Sequence, residues 1–437
     1  MVSGMALVRM ALGGYRGFAQ RQVIELRPIT VVLGRNNAGK SALVRAPVIL
    51  GTGIGTDTPE PFDLDRLTED LVDSFTDLIH GSRVHLGSIA VELGVDTSIG
   101  HVRIAATVRH LADHHIQVVE ALDMSLDGAM ICRLEWELDD PPEQPLTYRL
   151  TTSDGHDWEH RQVAFRGLLP AVEFSGPEAT RAPGKQLAQI RDAVLAVAAG
   201  YPTVRYLGPF RDRPQRRYRL PGRMRTEVGT AGEFAAGMLI SDLARGGGRL
   251  LRQVNADLAT HLPGWRLAAV PDGGTWAIIL ASTDDDSIRV NLADTGTGVA
   301  QVLPIFVQRA IDVIHPSERP VLEIIEQPEL HLHPAAHADL AELFLTAVKT
   351  TSTRFLVETH SETLLLRLRR HIAQGLDPST VAVYFVDRAD GASFARRIHI
   401  DPDGNLDYWP TGVFAEDYAE TRALAQAQRE RRGADAR

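Results

Sequence analysis

Residues 29–45 read ITVVLGRNNAGKSALVR, and this stretch decides the fold prediction. The β-branched run 29–33 predicts a strand, and the segment from Lys40 onward predicts a helix that Pro47 should shorten or kink. Between them, residues 34–41 match the pattern G-x-x-x-x-G-K-[ST] in full. The backbone N–H groups of such a loop and the following helix N-terminus point at phosphate oxygens. We therefore predict a nucleotide-binding P-loop.

Each residue type in this loop suits nucleotide binding. The glycines let the backbone curl around an anion, the Lys40 ammonium reaches the β- and γ-phosphates, and the Ser41 hydroxyl ligates magnesium. The predicted nucleotide-binding residues are Gly34, Arg35, Asn36, Asn37, Ala38, Gly39, Lys40, Ser41 and Ala42. The loop alone does not identify the reaction, because kinases, GTPases, helicases and ABC-type ATPases all contain one.

The second half of the chain alternates strands and helices, which is typical of a largely parallel sheet. Its predicted strands include 321–326, 354–359 and 381–386. Residues 84–151 instead alternate apolar and polar side chains almost throughout, which predicts antiparallel strands. Residues 67–81 predict a short helix. The predicted fold class is α/β, with a mostly parallel core sheet flanked by helices, an antiparallel β lobe and a helical insertion.

These patterns divide the chain into five segments. They are the first part of the core with the P-loop (1–50), the antiparallel β lobe and its connections (51–180), the helical, arginine-rich insertion (181–275), the second part of the core (276–415) and a flexible tail (416–437). Within the insertion, helices are predicted at 185–199 and 230–262, the second interrupted by three glycines at 246–248.

A cluster of polar residues follows the strand 321–326, in the sequence VLEIIEQPELHLHP (321–334). Glu326 ends this strand, which we expect beside the P-loop strand, where its carboxylate can hold magnesium through water. Glu329 lies close enough to orient the attacking water, and Gln327 stands between the two acids. We therefore predict these three residues as catalytic, with Ser41 and Glu326 as metal-binding residues.

Two further stretches contain groups that suit a phosphate site. FLVETHSE (355–362) is another apolar strand with a polar end, where His360 is placed to contact a γ-phosphate or its attacking water. LADTGTGVAQVLPIFVQRA (292–310) is a glycine turn that opens a helix, whose N–H groups form a second anion-binding helix start. The residues at that helix start are Thr295, Gly296, Thr297 and Gly298. Each signal is weak alone, because polar strand ends and glycine turns are common.

Together, the order of these motifs resembles the ABC-type ATPase heads of the SMC, recombination-repair and OLD (overcoming-lysogenization-defect) families. IEQPELHLHP (325–334) followed by VETHSE (357–362) looks most like the OLD-like branch of bacterial ATPases, many of which belong to phage-defence systems such as Septu and PARIS. YLGPFRDRP (206–214) and DGNLDYWPTGVF (403–414) are also similar to that branch.

The resemblance implies a role for each motif. Glu326 would be the Walker B acid and His360 the switch histidine. Residues 295–298 would take the place of the ABC signature and contact the γ-phosphate held by another protomer, with residues 331–334 in the D-loop position. The implied protein is a homodimer that closes around ATP and Mg²⁺ and regulates a separate effector, such as a nuclease or toxin, in anti-phage defence or DNA processing.

The same resemblance places Arg16 and Phe18 near the nucleotide base. OLD-family nucleases also carry a C-terminal Toprim domain, for which the residues after His360 are too few, so we expect no nuclease in this chain. The residue after the Walker B acid is usually a catalytic glutamate but is Gln327 here, and glutamine is a poor base. The turn 294–298, DTGTG, is also far from the usual leucine-serine-glycine-glycine signature.

These departures leave three functions open. In the first, Glu329 replaces the missing glutamate and the protein is an ATPase, with slow turnover. In the second, ATP acts mainly as a dimer clamp in a scaffold or sensor with little hydrolysis. The third is a P-loop transferase acting on a small metabolite, which the histidine strand and the long interval between Lys40 and Glu326 disfavour.

RDRPQRRYRLPGRMR (211–225) contains seven arginines and one acid, although the formal net charge of the chain is −10. One interpretation is contact with nucleic-acid phosphates, with Tyr218 available to stack on a base. The arginines predicted to make that contact are Arg211, Arg213, Arg216, Arg217 and Arg219. The alternatives are a solvated loop, ion pairs with the acidic surface, an acidic partner or the nucleotide itself.

Composition limits the remaining classes. The net charge of −10 argues against a generally basic surface for nucleic-acid binding. The only cysteine is Cys132, so no internal disulfide can form, and a reducing, cytoplasmic compartment fits. The N-terminus lacks a signal-peptide pattern, and no run of 18 apolar residues predicts a membrane span.

Overall fold

A computed structural model describes residues 5–68, 70–81, 87–137, 146–171, 184–261, 263–285, 287–409, 422–424 and 426–428 of the chain. Its strands are β1 (Ala6–Gly13), β2 (Gln22–Glu25), β3 (Ile29–Gly34), β4 (Ser88–Thr97), β5 (Gly100–Leu111), β6 (Ile116–Leu126), β7 (Ala129–Trp136), β8 (Thr147–Thr152), β9 (Asp157–Gln162), β10 (Phe165–Arg166), β11 (Leu169–Pro170), β12 (Thr203–Leu207), β13 (Trp265–Asp272), β14 (Thr275–Ser282), β15 (Arg289–Asn291), β16 (Val321–Glu326), β17 (Thr353–Glu358), β18 (Val381–Ala389) and β19 (Ala392–Ile398). Its α-helices are α1 (Lys40–Thr52), α2 (Gly184–Gly200), α3 (Ala235–Arg245), α4 (Arg249–His261), α5 (Thr297–Ile314), α6 (Pro334–Thr350) and α7 (Glu362–Ala373).

The P-loop strand lies inside a six-stranded sheet with the order β12-β16-β17-β3-β18-β19. Its first four pairings are parallel, and only β18 and β19 pair antiparallel. β3 and β16 are buried along their whole length, as expected for parallel strands covered on both faces. The carboxyl ends of β16, β17 and β3 therefore meet at one edge of the sheet.

The strand order corrects one expectation about Glu326. β17 lies between β16 and β3, so the strand that ends in Glu326 is not beside the P-loop strand. One of the two strands beside it, β17, ends in Glu358, and Glu326 and Glu358 are paired in register. Periodicity identifies parallel strands but does not give their order, which depends on crossovers that only the folded chain shows.

The largest sheet described has eight strands, in the order β2-β1-β4-β5-β6-β7-β8-β9, and all its pairings are antiparallel. A mostly parallel core therefore does not describe the molecule as a whole. The antiparallel lobe predicted over 51–180 also includes β1 and β2, which precede the P-loop. The mixture is α/β, as the sequence indicates.

The two faces of the parallel sheet pack into two hydrophobic cores. Val32, Ile324 and Leu356 face the core that contains α1, α2 and the antiparallel sheet. Val31 and Ile325 face the opposite core, which α3 to α7 complete. Side chains alternate between these cores because successive residues of a strand point to opposite faces. The sheet thus supports the P-loop from both sides.

Two local predictions about helices are wrong. Residues 67–81 contain no α-helix in their described part; instead a capping box between Ser74 and Asp77 opens a single 3-10 turn, and Ile79 then pairs with Tyr15 as an isolated bridge. α1 also continues through Pro47 to Thr52, and the Pro47 carbonyl accepts a 2.8 Å hydrogen bond from the Tyr201 hydroxyl. At Pro47, packing of α1 in the core overrides local propensity.

The tail predicted at 416–437 lies outside the described residues, apart from 422–424 and 426–428. Residues 410–414 of the DGNLDYWPTGVF motif also lie outside the described residues. None of the described helices is both long and apolar enough to cross a membrane. Cys132 is buried in the antiparallel lobe.

Candidate functional site

The P-loop connects β3 to α1 at the carboxyl edge of the parallel sheet. Gly39 precedes the helix with φ 104°, a left-handed conformation that favours glycine, and a Cβ there would lie 2.9 Å from the Ser393 Oγ. Asn37 is also left-handed, with φ 61°. This curl places the N-terminus of α1 and its free N–H groups inside the loop, which is the geometry of an anion site.

The two charged and hydroxyl groups that follow the loop meet a carboxylate. The Ser41 hydroxyl donates a 2.8 Å hydrogen bond to Glu358 Oε2. Lys40 Nζ lies 4.0 Å from Glu358 Oε1 and donates to the Arg35 carbonyl at 2.8 Å. Burial raises the pKa of Glu358 to about 7, with a further contribution from the neighbouring charge of Glu326, and burial lowers the pKa of Lys40.

Glu326 is bound differently from Glu358. Its side chain is 1% exposed, and Arg45 from α1 makes two hydrogen bonds to it, at 2.6 Å and 2.9 Å. The Tyr206 hydroxyl donates a third, at 2.9 Å. Glu326 is therefore held by an arginine and a tyrosine, whereas Glu358 is the carboxylate that contacts Ser41.

Glu329 reaches from the turn after β16 to the end of β17. Its Oε1 accepts a 2.6 Å hydrogen bond from the His360 backbone N–H. Its Oε2 is buried and has no hydrogen-bond partner among the described residues. An orphaned buried carboxylate oxygen is costly, so its presence marks a position where a further donor, such as water, can bind.

Gln327 and His360 flank this carboxylate. Gln327 has φ 46°, and its N–H donates to the Glu358 carbonyl at 2.7 Å, which fixes the turn against β17. The His360 side chain is exposed at the same sheet edge. Partial desolvation of the ring by neighbouring atoms and the nearby charge of Lys40 lower its pKa, which favours the neutral imidazole. The structure thus brings together the P-loop, Glu326, Gln327, Glu329 and His360.

The glycine turn before α5 packs against the HLHP turn of the same chain. A Cβ at Gly298 would lie 3.0 Å from the His331 carbonyl oxygen. Gly296 caps α5, and the Thr295 hydroxyl donates to the Leu292 carbonyl rather than to a neighbouring motif. The two motifs that the resemblance assigns to the partner side of a shared site are therefore neighbours.

The arginine-rich stretch, residues 211–225, does not present all its arginines to solvent. Arg211 is 6% exposed, and its guanidinium donates to the backbone carbonyls of Glu326 and Gln327, each at 2.9 Å. Arg211 therefore fastens the turn after β16 and is not a surface contact for nucleic acid, which corrects that part of the sequence prediction. Burial lowers its pKa to about 10.

Two more of these arginines are in exposed ion pairs. Arg216 binds Asp294 through two hydrogen bonds, at 2.9 Å and 2.5 Å, and Arg217 lies 2.8 Å from Asp272. Arg213 and Arg219 are exposed, and neither has a hydrogen bond or ion pair within the part of the chain that is described. Ion pairing thus accounts for Arg216 and Arg217, whereas phosphate contact through Arg213 and Arg219 stays a prediction.

Both residues that the resemblance places near the nucleotide base, Arg16 and Phe18, make contacts within the fold. Phe18 is fully buried, and its ring lies 3.4 Å from the position of a Cβ on Gly39, beneath the P-loop. The Arg16 guanidinium donates to the Leu71 carbonyl. Phe18 supports the loop from below.

Sequence reasoning missed three residues of this site. Glu358 lies in the VETHSE motif two positions before His360, where the motif was read for its histidine alone. Arg45 follows the P-loop pattern and Tyr206 opens the YLGPFRDRP stretch, but neither position indicates a contact with Glu326, which lies 281 and 120 residues away in the chain. Only Glu358 had a signal, namely an acid at the end of an apolar strand.

Comparison with protein families finds two matches, each to part of the chain. Residues 247–365, which include the glycine turn, Glu326 and His360, match the AAA_15 family, described as AAA ATPase domain. Residues 376–424 match a family described as protein of unknown function (DUF3696). None of the curated proteins is significantly similar to the chain.

Solved SMC heads are among the structures similar to this chain. The SMC head domain from Thermotoga maritima is 13% identical, with coverage of 91% of this chain and 100% of that one and a TM-score of 0.40. The SmcHead bound to the C-winged helix domain of ScpA is 14% identical, with coverage of 91% and 98% and a TM-score of 0.44. An Smc head bound to the C-terminal domain of ScpA derived from Pyrococcus furiosus is 13% identical, with coverage of 90% and 96% and a TM-score of 0.43. The family match supports an AAA-type ATPase domain in this chain.

Proposed function

We propose that the chain binds ATP with Mg²⁺ at the P-loop and hydrolyses it slowly. The observation that carries this proposal is the meeting of the Lys40 ammonium, the Ser41 hydroxyl and the Glu358 carboxylate at the N-terminus of α1. Gly39 is left-handed, and a Cβ on it would meet Ser393 and Phe18 beneath the loop, so glycine at this position lets the loop curl toward a phosphate. The residues present therefore fit the nucleotide.

The metal would be held by few protein groups. Mg²⁺ usually keeps several waters and takes one or two protein ligands beside phosphate oxygens. Ser41 and Glu358 are in direct contact and suit that role, while Glu326, gripped by Arg45, would act through water from the neighbouring strand end. When bound, the ion neutralises charge on the phosphate oxygens.

Glu329 would take the proton of the attacking water. Its Oε1 is fixed by the His360 N–H, so the bare Oε2 is oriented and available. Gln327 cannot serve as a base, but its amide can orient the same water. The neutral ring of His360 would hydrogen-bond to the γ-phosphate or to that water. Glu329, which follows Glu326 in the stretch 321–334, would thus act as the catalytic glutamate.

Two ATP sites would be completed in a head-to-tail homodimer, with residues 295–298 of one protomer facing the γ-phosphate of the other. The contact of Gly298 with the His331 carbonyl supports this, because it places the signature-like and D-loop-like turns on one surface. We further propose, from the motif resemblance, that ATP-driven dimerisation regulates a separate effector protein in anti-phage defence or DNA processing. A scaffold with little turnover is the second candidate, favoured by Gln327.

Substitution of Lys40 tests nucleotide binding and turnover together. Lys40→Ala should lower ATP turnover by about 10²-fold or more, because it removes a charge that stabilises the transferring phosphoryl group. Lys185→Ala, at an exposed position of α2, is the matched control and should leave turnover unchanged. Equal turnover in the two variants would refute the P-loop assignment. ATP-dependent dimer formation, measured by light scattering, separately tests the shared site.

A further inference from the structure

An arginine-lined pocket lies between residues 215–225 and helix α3, away from the P-loop contacts described above. Its volume is about 270 Å³. The charged groups that line it are Arg219, Arg223, Arg225 and Glu233. Three guanidiniums and one carboxylate leave it with a net positive charge inside a chain whose formal charge is −10.

The guanidiniums of this pocket are not used by the fold. In the described part of the chain, Arg219 and Arg223 make no hydrogen bond or ion pair, and Arg225 makes only a cation–π contact with the Phe234 ring, at 4.3 Å. The Glu233 carboxylate instead accepts a 3.0 Å hydrogen bond from the Ala231 N–H. The positive charge of the pocket is therefore not neutralised from within.

A second, independent feature lies at the wall of the same pocket. Ser241 of α3 lines it, is 1% exposed, and its Oγ has no hydrogen-bond partner among the described residues. A helical serine can bond the carbonyl one turn back, so a buried hydroxyl without any partner is unusual and costs free energy. A ligand oxygen would satisfy it.

The walls of the pocket are fixed before any ligand arrives. Tyr218 exchanges two 2.8 Å backbone hydrogen bonds with Trp276 of β14. The Pro221 carbonyl accepts a 2.8 Å hydrogen bond from Arg245 at the end of α3. Gly237 lets Pro221 approach the helix, because a Cβ there would lie 3.0 Å from the Pro221 Cγ. A preformed pocket lowers the entropy cost of binding.

We propose that this pocket binds a phosphate-bearing ligand through Arg219, Arg223, Arg225 and the Ser241 hydroxyl. Guanidinium groups match phosphate oxygens in charge and geometry, and a serine hydroxyl donates to an oxygen without adding charge. The phosphate belongs either to a free small phosphate ester or to the backbone of a nucleic-acid strand. This site is separate from the P-loop and does not depend on ATP binding there.

The test uses two probes on the full chain, inorganic phosphate followed by calorimetry and a fluorescent 20-nucleotide single-stranded DNA followed by anisotropy. The measurements are made in the Lys40→Ala background as well, so that binding at the P-loop is separated from binding at the pocket. The double variant Arg219→Gln/Arg223→Gln should weaken binding of the probe by about tenfold or more, as expected for losing hydrogen bonds to a charged group. Arg249→Gln, an exposed arginine outside the pocket, is the control for charge.

Ser241→Ala tests the pocket without changing its charge. It should weaken binding severalfold while leaving the unfolding midpoint unchanged or higher, because it removes an unsatisfied hydroxyl. Phosphate binding without DNA binding assigns a small ester, and DNA binding that phosphate displaces assigns a strand. The proposal is overturned if neither probe binds, if binding disappears in Lys40→Ala, or if the pocket variants behave like Arg249→Gln.

Discussion

Two buried carboxylates differ in how completely the fold supplies them with partners. They are Glu92 in the antiparallel sheet and Glu329 at the edge of the parallel sheet. Glu92 is 2% exposed and is bonded by three arginines, Arg9, Arg21 and Arg103, at 3.1, 2.5 and 2.7 Å. Glu329 is 8% exposed and has one backbone donor and a bare oxygen. A buried charge with all its partners maintains the fold, and one that lacks a partner is available for chemistry.

Among the substitutions that test this contrast, Glu329→Gln should have the largest effect, and it should act on ATP turnover. If Oε2 accepts the proton from water, turnover falls about 10²–10⁴-fold, the usual worth of a general base, with ATP affinity almost unchanged. Single-turnover hydrolysis and nucleotide binding measure the two quantities. Glu92→Gln is the control, because it makes the same change at another buried acid, whose ion-pair partners are Arg9, Arg21 and Arg103 and not P-loop residues. Unchanged hydrolysis in Glu329→Gln would show that Glu329 is not the catalytic base.

Glu92→Gln should instead act on stability. It leaves three guanidiniums without their common partner, and because their side chains are 39–48% exposed, water compensates for part of the loss. We expect a decrease in the free energy of unfolding of about 1–3 kcal/mol. Urea unfolding measures it. A loss below the error of the measurement would show that the three arginines are solvated at no net cost.

The stabilisation that Glu92 contributes should depend on pH, and the pKa of Glu92 fixes the direction of that dependence. Burial acts to raise the pKa of Glu92, but hydrogen bonds from Arg103 and Arg21 outweigh it and lower the pKa from 4.5 to about 2. The stabilisation is therefore fully present above the unfolded-state pKa and is lost as pH falls through the folded-state pKa. The stability difference between wild type and Glu92→Gln should shrink between pH 5 and pH 2, and parallel urea titrations of the two proteins would measure it. A difference that grew on acidification would contradict it.

The smallest effect should come from Arg216→Gln. This arginine pairs with Asp294 at the surface, where the two side chains are 65% and 44% exposed, so the free energy of unfolding should change by less than about 1 kcal/mol. The unfolding midpoint measures it against wild type. A larger loss would mean that the pair holds the turn before α5 in place, which would separate it from ordinary surface pairs.

The part of the site that lies within one short segment of the chain could be predicted from the sequence. The P-loop needs only residues 34–41, so pattern and geometry agree there. Strand order was not predictable, because the position of β17 between β16 and β3 depends on crossovers distant in sequence. For the same reason Arg45 and Tyr206 were missed, and Arg211 was assigned to the surface from its charge alone. Pro47 shows the limit of local rules, since core packing keeps α1 continuous through it.

The hydrogen bond between Ser41 and Glu358 joins residues 317 positions apart in the chain. β3, the strand before the P-loop, has β17 and β18 as its partners on either side, and both are synthesised long after β3 itself. At about 5–20 residues per second, an emerging P-loop waits roughly 15–60 s before the first of these strands is made. During that time β3 is an apolar strand with two open edges, a hazard for mispairing. The nucleotide site can therefore form only after β17 and β18 are made, long after the P-loop that carries its signature.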